Sequence, residues 1–419
     1  MPTRNGQLHR NQSNNRVVIS GAGIVTSMGL GWKNSAEGFR AGKQAFRDIT
    51  LFDTTRQRVH QAGEVILPDC LPSTRLKKRQ LARIDRASQL LIHATAEALK
   101  QCAWNDDDLH EDIAIALGSS AGAMFCGEKF TQTALQQPNQ RVGQASRIHL
   151  YQTQHQARTL EDAFGIQGPV SIISNACASG ANAIGHAFRL LKYGHHQRAI
   201  AGGYDALSQL VFAGFDSLQA LTTTLPPRPF DADRDGLALG EGAAVLMLET
   251  LDSARQRGAE ILAEIAGYGA ATDIHHLAQP HPEGDAALSS MNDACHEAQL
   301  NPQEIQYINS HGTGTPKNDV AEGRAIQRWA GAHTQQVCVS STKASIGHLL
   351  GGAGAVETVI SLMALQGQWL PPTTTINKLD PVCTFDLVRE ARDARIDAVL
   401  SNSFGFGGAN ATLILKKFA

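Results

Sequence analysis

One cysteine of the chain has neighbours that would suit a nucleophile. Cys177 lies in the segment NACASG, between an apolar run at 170–174 and a helix-patterned stretch at 181–193. A thiol at the start of a helix faces unpaired amide groups and the positive end of the helix dipole. Such surroundings lower the pKa of a thiol and favour the nucleophilic thiolate. We therefore expect Cys177 to be a nucleophile, although most cysteines are simply small buried hydrophobes.

Two histidines in glycine-rich segments could handle protons or stabilise an oxyanion. His311 follows an apolar run in NSHGTGT, and His348 lies in STKASIGHLLGGAG, shortly after Lys343. A histidine at the carboxyl end of a strand faces the usual ligand crevice of an α/β sheet. Two neutral imidazoles can donate two hydrogen bonds to one developing oxyanion, and Lys343 could hold them in place by its charge. From these residues alone, a catalytic and a structural role are equally open.

The pattern of possible metal ligands does not indicate a metal site. The seven cysteines are scattered and form no CxxC pair, so neither a zinc site nor a disulfide framework is predicted. His275, His276 and His281 share a polar loop with Asp273 and Glu283. Because the spacing of this group matches no known ligand pattern, we interpret the loop as solvated.

The composition argues against several classes of protein. The chain has 419 residues, with 37 basic and 39 acidic side chains and a formal net charge of -2, which disfavours a nucleic-acid-binding protein. No apolar run approaches the roughly 18–20 residues needed to span a membrane. Residues 1–15 lack the apolar stretch of a signal peptide, and we interpret them as a disordered tail. We expect a cytoplasmic protein.

The elements that must position these residues alternate between short β-branched runs and longer helical patterns. Strands are predicted at 16–20, 113–117, 170–174, 198–202, 243–248, 261–267, 305–310, 337–340, 398–401 and 411–415. Helices are predicted at 86–101, 181–193, 284–297, 318–329 and 354–365. The alternation predicts an α/β protein with mostly parallel strand pairing.

The two halves of the chain look alike in outline. Each half carries a strand that ends in a small-residue turn and feeds a helix, which hints at an internal duplication. We place the N-terminal half at 16–257 and the C-terminal half at 258–419. Glycine clusters mark tight turns or close ligand approach. GEGA at 240–243 predicts only a turn, whereas GFGGAN at 405–410 predicts a loop that approaches a ligand.

Five segments together resemble the β-ketoacyl-[acyl-carrier-protein] synthases, in the synthase I/II branch of the thiolase-like superfamily. The segments are NACASG, RPFDADRDGLALGEGAAVLMLE, NSHGTGTPKND, STKASIGHLLGGAGAVE and NSFGFGGAN, in the family's order and at about its spacing. The resemblance extends from about Val17 to the C-terminus. It implies an α/β thiolase-like fold, with two similar halves in a layered α-β-α-β-α arrangement.

The resemblance also implies a role for each matching residue. Cys177 would accept an acyl chain as a thioester, and His311 and His348 would stabilise the enolate formed when a malonyl thioester loses carbon dioxide. Lys343 would support the two histidines. The other matching residues are the acid of the supporting network, Glu322, the oxyanion-hole amides of Cys177 and Phe404, the gating side chain of Phe404, and the pantetheine-binding Thr313 and Thr315.

The implied reaction is a decarboxylative Claisen condensation that lengthens an acyl chain by two carbons, with no metal and no organic cofactor. Both substrates would arrive on an acyl carrier protein, in fatty-acid, polyene or polyketide biosynthesis. That carrier is acidic, so a basic docking patch is expected. Arg79 and Arg83 match the family's docking positions best, although most basic runs are only solvated faces. A homodimer is implied, and a heterodimer with a chain-length partner stays open.

Two other functions remain as alternatives. A thiolase-type acyltransferase would act on coenzyme A esters, and it is disfavoured because no cysteine follows Cys383. A non-catalytic chain-length partner of another ketosynthase would lack the nucleophile, which is present here as Cys177. The segment at 126–165, Asn175 and the small Ala121 depart from the text of housekeeping synthases. The length of the acyl chain and the pathway therefore stay open.

Overall fold

The computed structural model describes residues 15–109, 113–137 and 145–418. The predicted tail at 1–15 lies outside these ranges except for Asn15, whose backbone N–H donates to the carbonyl of Lys192. The strands are β1 (Val17–Thr26), β2 (Gly29–Leu30), β3 (Arg47–Asp48), β4 (Gln61–Ala62), β5 (Ala114–Gly118), β6 (Val170–Ile173), β7 (Arg198–Asp205), β8 (Gly242–Thr250), β9 (Ala263–Thr272), β10 (Tyr307–Asn309), β11 (Cys338–Ser340), β12 (Trp369–Leu370), β13 (Asp386–Leu387), β14 (Arg392–Asp393), β15 (Ala398–Phe404) and β16 (Ala409–Lys416).

The helices lie mainly between the longer strands. They are α1 (Trp32–Arg40), α2 (Lys78–Leu81), α3 (Arg86–Cys102), α4 (Asp106–Leu109), α5 (Met124–Gln136), α6 (Thr153–Phe164), α7 (Ser179–Lys192), α8 (Gln209–Ser217), α9 (Leu251–Gln256), α10 (Asp285–Ala298), α11 (Pro316–Ala330), α12 (Lys343–Ile346) and α13 (Ala353–Gly367). The five helices predicted from the sequence are confirmed as α3, α7, α10, α11 and α13, with ends that differ by one or two residues. Within the described residues, no helix is long and apolar enough to cross a membrane.

The two halves of the chain repeat one strand order. Across the sheet the N-terminal half runs β6-β5-β7-β8-β1, and the C-terminal half runs β11-β10-β15-β16-β9. When only these five strands of each half are numbered in chain order, both halves read third, second, fourth, fifth, first, and the short strand β13 adds to the edge beside β11. The first three of these positions pair in parallel, and the last two join antiparallel. The predicted duplication is therefore confirmed as a repeat of topology.

The prediction of mostly parallel pairing is wrong. The longest ladders, which join β1 to β8 and β9 to β16, are antiparallel. Only the short glycine-rich loop at 405–408 separates β15 from β16. Antiparallel strands can be joined by such a short turn, whereas parallel strands need a crossover of a dozen or more residues. The loop length was thus a signal for antiparallel pairing.

Helices cover both halves of the sheet and also separate them. The middle layer consists of α7 and α13, each of which contacts strands of both halves. On the outer faces α3 packs on β1 and β8, and α10 packs on β9 and β16. α13 is buried around its whole circumference from Ala353 to Leu365, as expected for a helix between the two halves of the sheet. The predicted layered α-β-α-β-α arrangement is confirmed.

Candidate active site

The turn between β6 and α7 holds Cys177 in a constrained position. Ala176, the residue before it, has a left-handed backbone with φ of 56°, which is uncommon for a residue with a side chain. The carbonyl of Ala176 accepts hydrogen bonds from the hydroxyls of Ser120 and Ser179. A Cβ atom on Gly118 would lie 2.3 Å from the backbone nitrogen of Gly180, so β5 passes directly against the start of α7. These contacts fix a backbone strain of the kind that collects at functional sites.

The thiol of Cys177 is buried, and burial dominates its acidity. Burial raises its pKa to about 12, while the charge of Lys343 and a hydrogen bond from the backbone N–H of Phe406 act in the opposite direction. The expectation of a lowered pKa, drawn from the helix dipole, is therefore wrong for the ligand-free site. The physical reason is that loss of water around the sulfur outweighs the favourable dipoles and charge.

His311 and His348 face each other in this site. Their ring centroids are 5.2 Å apart at an interplanar angle of 85°, and both side chains are buried. Burial, the charge of Lys343 and, for His311, the neighbouring imidazole hold both pKa values well below the usual value. Both rings are therefore neutral at pH 7, and each carries one N–H donor. The structure thus brings the two predicted histidines together, and their role toward an enolate stays a prediction.

Lys343 acts electrostatically on all three reactive groups. Its Nζ is 3.4 Å from Nδ1 of His311, and its charge lowers the pKa of Cys177, His311 and His348. On its other side Lys343 forms an ion pair with Glu357 of α13. Both members of this pair are buried, and an ammonium at this depth needs a carboxylate partner. Sequence reasoning missed Glu357, although one acidic residue within the apolar run AVETVISLMAL is a visible signal.

Glu322 supports the backbone after β10 rather than an imidazole ring. Its carboxylate accepts hydrogen bonds from the backbone N–H groups of His311 (2.8 Å) and Gly312 (2.7 Å) and from Nδ2 of Asn402 (3.2 Å). Burial raises the pKa of Glu322 to about 7, against these hydrogen bonds. Glu322 was predicted to belong to the supporting network of the site. In the structure it anchors the backbone of the loop that carries His311.

His348 is held through its backbone, which leaves its ring available. Its N–H donates to the carbonyl of Ala238 (2.7 Å), and its carbonyl accepts from Gly240 (3.0 Å). Neither ring nitrogen makes a hydrogen bond to any residue that the structure describes. A Cβ atom on Gly240 would lie 2.3 Å from the carbonyl oxygen of Ile346. The GEGA segment is therefore more than a turn, because its first glycine allows the His348 segment to pack against it.

The glycine-rich loop after β15 meets the nucleophile turn through Phe406. The backbone N–H of Phe406 hydrogen-bonds the sulfur of Cys177. Phe404 instead pairs with Asn410 in the β15–β16 ladder, and its ring centroid lies 5.7 Å from that of His311. The amide near the sulfur is thus that of Phe406 and not that of Phe404, and the assignment of an oxyanion-hole amide stays a prediction. The exposed ring of Phe406 also stacks on Phe215, with centroids 6.0 Å apart.

Thr313 and Thr315 line the segment that leads away from His311. Their hydroxyl oxygens are 2.9 Å apart, with Thr313 buried and Thr315 partly exposed. The backbone N–H of Thr313 donates to the buried carboxylate of Asp319. Asp319 thus anchors the loop that carries the two threonines. Their role in pantetheine binding stays a prediction.

Comparison with known proteins identifies the family. Residues 14–254 match the model of the β-ketoacyl synthase N-terminal domain, and residues 262–377 match that of the C-terminal domain. The chain belongs to the β-ketoacyl synthase family. It is 36% identical to the 3-oxoacyl-[acyl-carrier-protein] synthase 2 of Synechocystis over 97% of this chain and 99% of that protein.

Solved structures of ketosynthases share the fold. The ishigamide ketosynthase/chain length factor structure superposes with a TM-score of 0.90 at 31% identity, over 97% of this chain and 100% of that chain. A type II polyketide ketosynthase, AntDE, described in complex with its acyl-carrier protein AntF, gives a TM-score of 0.87 at 25% identity over the same shares. The thiolase-like fold predicted for this synthase is confirmed.

Arg79 and Arg83 of this synthase lie beside a surface cavity. Both side chains are exposed, and both line a cavity of about 680 Å³ between the α2 segment, α5 and α6. Its wall also carries Lys129 and the apolar side chains of Phe125 and Phe130. The two predicted docking residues are thus brought together at the mouth of one concave surface.

The histidine-rich loop packs against the glycine-rich loop at 405–408. The backbone N–H of Gly407 donates to the carbonyl of Leu277 (2.7 Å), and that of Asp273 donates to the carbonyl of Gly408 (2.8 Å). His275 and His281 stack edge to face with centroids 5.2 Å apart. Across the described ranges, no group of three histidine, cysteine, aspartate or glutamate side chains could hold a metal ion.

Proposed function

We propose that this β-ketoacyl synthase is a 3-oxoacyl-[acyl-carrier-protein] synthase, which condenses an acyl chain held on Cys177 with malonyl-[acyl-carrier-protein]. The observation that carries the proposal is the arrangement of a buried thiol and two neutral imidazoles around the single ammonium of Lys343. A thiol supplies the covalent acyl carrier, and two N–H donors suit an enolate. The product would be a β-ketoacyl chain for fatty-acid or polyketide-type biosynthesis.

The first half-reaction transfers the acyl chain. The sulfur of Cys177 attacks the carbonyl carbon of the acyl-carrier thioester, and the developing oxyanion accepts hydrogen bonds from the backbone N–H groups of Cys177 and Phe406. The bond between the carbonyl carbon and the pantetheine sulfur then breaks. The carrier leaves as its thiol, having taken the proton that Cys177 gave up. Because burial raises the pKa of the thiol, we propose that the proton leaves as the sulfur attacks.

The second half-reaction forms the new carbon–carbon bond. The malonyl carboxylate leaves as carbon dioxide, and the electron pair of the broken bond moves onto the thioester oxygen to give an enolate. The N–H donors of His311 and His348 stabilise that oxygen. The enolate carbon attacks the acyl carbonyl on Cys177, the carbon–sulfur bond breaks, and the departing thiolate of Cys177 takes up a proton from solvent to restore the resting thiol.

Carrier recognition is assigned to the cavity beside Arg79 and Arg83. The cavity is lined by the basic side chains of Arg79, Arg83 and Lys129 and by the apolar side chains of Phe125 and Phe130. This combination suits an acidic helix that also presents apolar side chains. Phe404, which is buried beside His311, is the gate implied by the family resemblance. The exposed ring of Phe406, stacked on Phe215, is a second candidate for this role. A cytoplasmic location, a homodimer and a heterodimer with a chain-length partner stay predictions.

Two experiments separate this function from its alternatives. Malonyl-[acyl-carrier-protein] and acetyl coenzyme A are offered in parallel as nucleophiles to the acyl-loaded protein. A ketosynthase extends the chain only with the malonyl carrier, whereas a thiolase-type enzyme uses acetyl coenzyme A. Intact-mass detection of an acyl group on Cys177 excludes a non-catalytic chain-length partner, and the absence of acylation with every carrier tested would overturn the proposal.

A further inference from the structure

Asp205, the last residue of β7, joins two separate segments with one buried carboxylate. Its side chain has 0% exposure. It accepts hydrogen bonds from the hydroxyl of Ser119 (2.6 Å) and the backbone N–H groups of Ala121 (2.8 Å) and Gly122 (2.7 Å). From the other side the backbone N–H of Gly351 donates to it at 2.6 Å.

Both of these segments lead directly to reactive groups. The backbone N–H of Ser120 also donates to Asp205, at 3.1 Å, and the hydroxyl of Ser120 donates to the carbonyl of Ala176 at 2.8 Å. Ala176 is the left-handed residue immediately before Cys177. Gly351 follows closely after His348 in the same segment. One carboxylate thus connects the nucleophile turn with the segment that carries a catalytic imidazole.

The packing leaves little freedom at this junction. A Cβ atom on Gly351 would lie 2.4 Å from the backbone nitrogen of Ser120, so the two segments touch backbone to backbone. All the partners of Asp205 are donors, and only an acceptor with two oxygens can satisfy them together. Asparagine has nearly the same shape, but it would turn an NH₂ group toward backbone N–H groups.

The charge of Asp205 has the wrong sign to activate the thiol. Its negative charge raises the pKa of Cys177, whereas the charge of Lys343 lowers it. The contribution of Asp205 to catalysis therefore has to be geometric.

We propose that Asp205 is a positioning residue for the acyl-transfer step, acting through Ser120 on the Ala176 carbonyl and through Gly351 on the His348 segment. Holding the Ala176 carbonyl fixes the turn that aims the sulfur and the amide of Cys177. The inference rests on the proposed role of Cys177 as the acyl acceptor, and it adds a residue that touches neither substrate.

The test is a double-mutant cycle on the rate of Cys177 acylation, followed by intact-mass spectrometry with saturating acyl carrier. Asp205→Asn is expected to lower the rate about 10- to 100-fold, a loss typical of misplaced reacting groups. Ser120→Ala is expected to lower it about fivefold, as for one lost hydrogen bond. If Asp205 acts through Ser120, the double variant is no slower than Asp205→Asn alone. If the rate losses of the two single variants multiply in the double variant, Asp205 and Ser120 act independently, and the proposed action of Asp205 through Ser120 is overturned.

A matched control uses a second buried carboxylate. Asp231 has 0% exposure and accepts backbone N–H groups of Asp233, Asn377 and Lys378, but it contacts none of the segments above. Asp231→Asn should lower the melting temperature and leave the acylation rate of the folded protein within about twofold. An equal loss of rate in this control would mean that any buried carboxylate has the same effect, and would contradict the proposal.

A second readout separates positioning from general damage. Removing the charge of Asp205 lowers the pKa of Cys177, so alkylation of the thiol by iodoacetamide at pH 8 should be at least as fast in Asp205→Asn as in the wild type. A variant that alkylates normally but acylates slowly supports positioning, and parallel loss of both rates contradicts it. Should Asp205→Asn fail to fold, Ser120→Ala alone decides by the same two rates. Absence of acylation in the wild type would instead refute the proposed function.

Discussion

The Nζ atom of Lys343 lies 3.4 Å from Nδ1 of His311, and this contact decides which ring nitrogen carries the proton. An ammonium has only N–H donors, so Nδ1 has to be the acceptor. Because burial and the charge of Lys343 hold the pKa of His311 well below its usual value, the ring is neutral at pH 7. Its single proton is therefore on Nε2, where it can serve the enolate oxygen.

Lys343→Met should lose this tautomer control. In a Cys177→Ala background, which isolates the decarboxylation step, we expect release of carbon dioxide from malonyl-[acyl-carrier-protein] to fall about 100-fold, the size of effect seen when one oxyanion donor is removed. Lys417→Met, at an exposed position near the C-terminus, is the control and should leave the rate unchanged. Equal rates with and without Lys343 would contradict the role given to it.

Phe406→Pro tests whether the backbone N–H of Phe406, which contacts the sulfur of Cys177, contributes to acyl transfer. Proline removes the backbone N–H, and the extended backbone of Gly405, with φ of -123° and ψ of 152°, is compatible with a following proline. We expect acylation of Cys177 to slow about 100-fold. Phe406→Ala keeps the N–H and removes the ring, so it should slow acylation far less. If the alanine variant is the slower of the two, the ring and not the amide is what matters.

The pKa of about 12 for Cys177 makes a direct prediction of pH dependence. At pH values far below the pKa of a thiol, its thiolate fraction rises tenfold for each pH unit. The rate of alkylation of Cys177 by iodoacetamide should therefore rise about tenfold per pH unit from pH 7 to 9. The site-specific rate is followed by peptide mass spectrometry. A plateau near pH 7 would show that the resting thiol is already ionised.

Charge reversal at the cavity rim should weaken carrier binding selectively. The double variant Arg79→Glu and Arg83→Glu is expected to raise the KM for acyl-[acyl-carrier-protein] at least tenfold, because rim charges steer and hold an acidic partner. Acylation by a small carrier-free thioester should be unchanged. Arg395→Glu, whose side chain is 86% exposed, is the matched control. A KM that does not change in the double variant would place the docking surface elsewhere.

The sequence was sufficient to predict those site residues that can be recognised from their residue type and their immediate neighbours. Cys177 stood out through its small neighbours, and His311 and His348 through the glycines around them. Amphipathic helices such as α3 and α11 were found because their apolar periodicity is strong.

The parts that were missed depend on contacts between segments distant in the chain. Asp205 and Glu357 are ordinary acidic residues in the sequence, and only the fold shows that they bind Gly351 and Lys343. Phe404 and Phe406 are two residues apart, and only the hairpin register determines that the amide of Phe406 reaches Cys177. Of the helices around the cavity of Arg79 and Arg83, α5 has a weak apolar pattern, whereas the pattern of α6 is as strong as that of α3 and was overlooked.

The most direct test of the account is a two-step intact-mass measurement on one sample. Acyl-[acyl-carrier-protein] is added first, then malonyl-[acyl-carrier-protein], with Cys177→Ala as the comparison. We predict one acyl group on Cys177, its loss on addition of the malonyl carrier, and a β-ketoacyl carrier two carbons longer, with none of these in the variant. Formation of the elongated product by Cys177→Ala, or without any acylated intermediate on Cys177 in the wild type, would contradict the central claim.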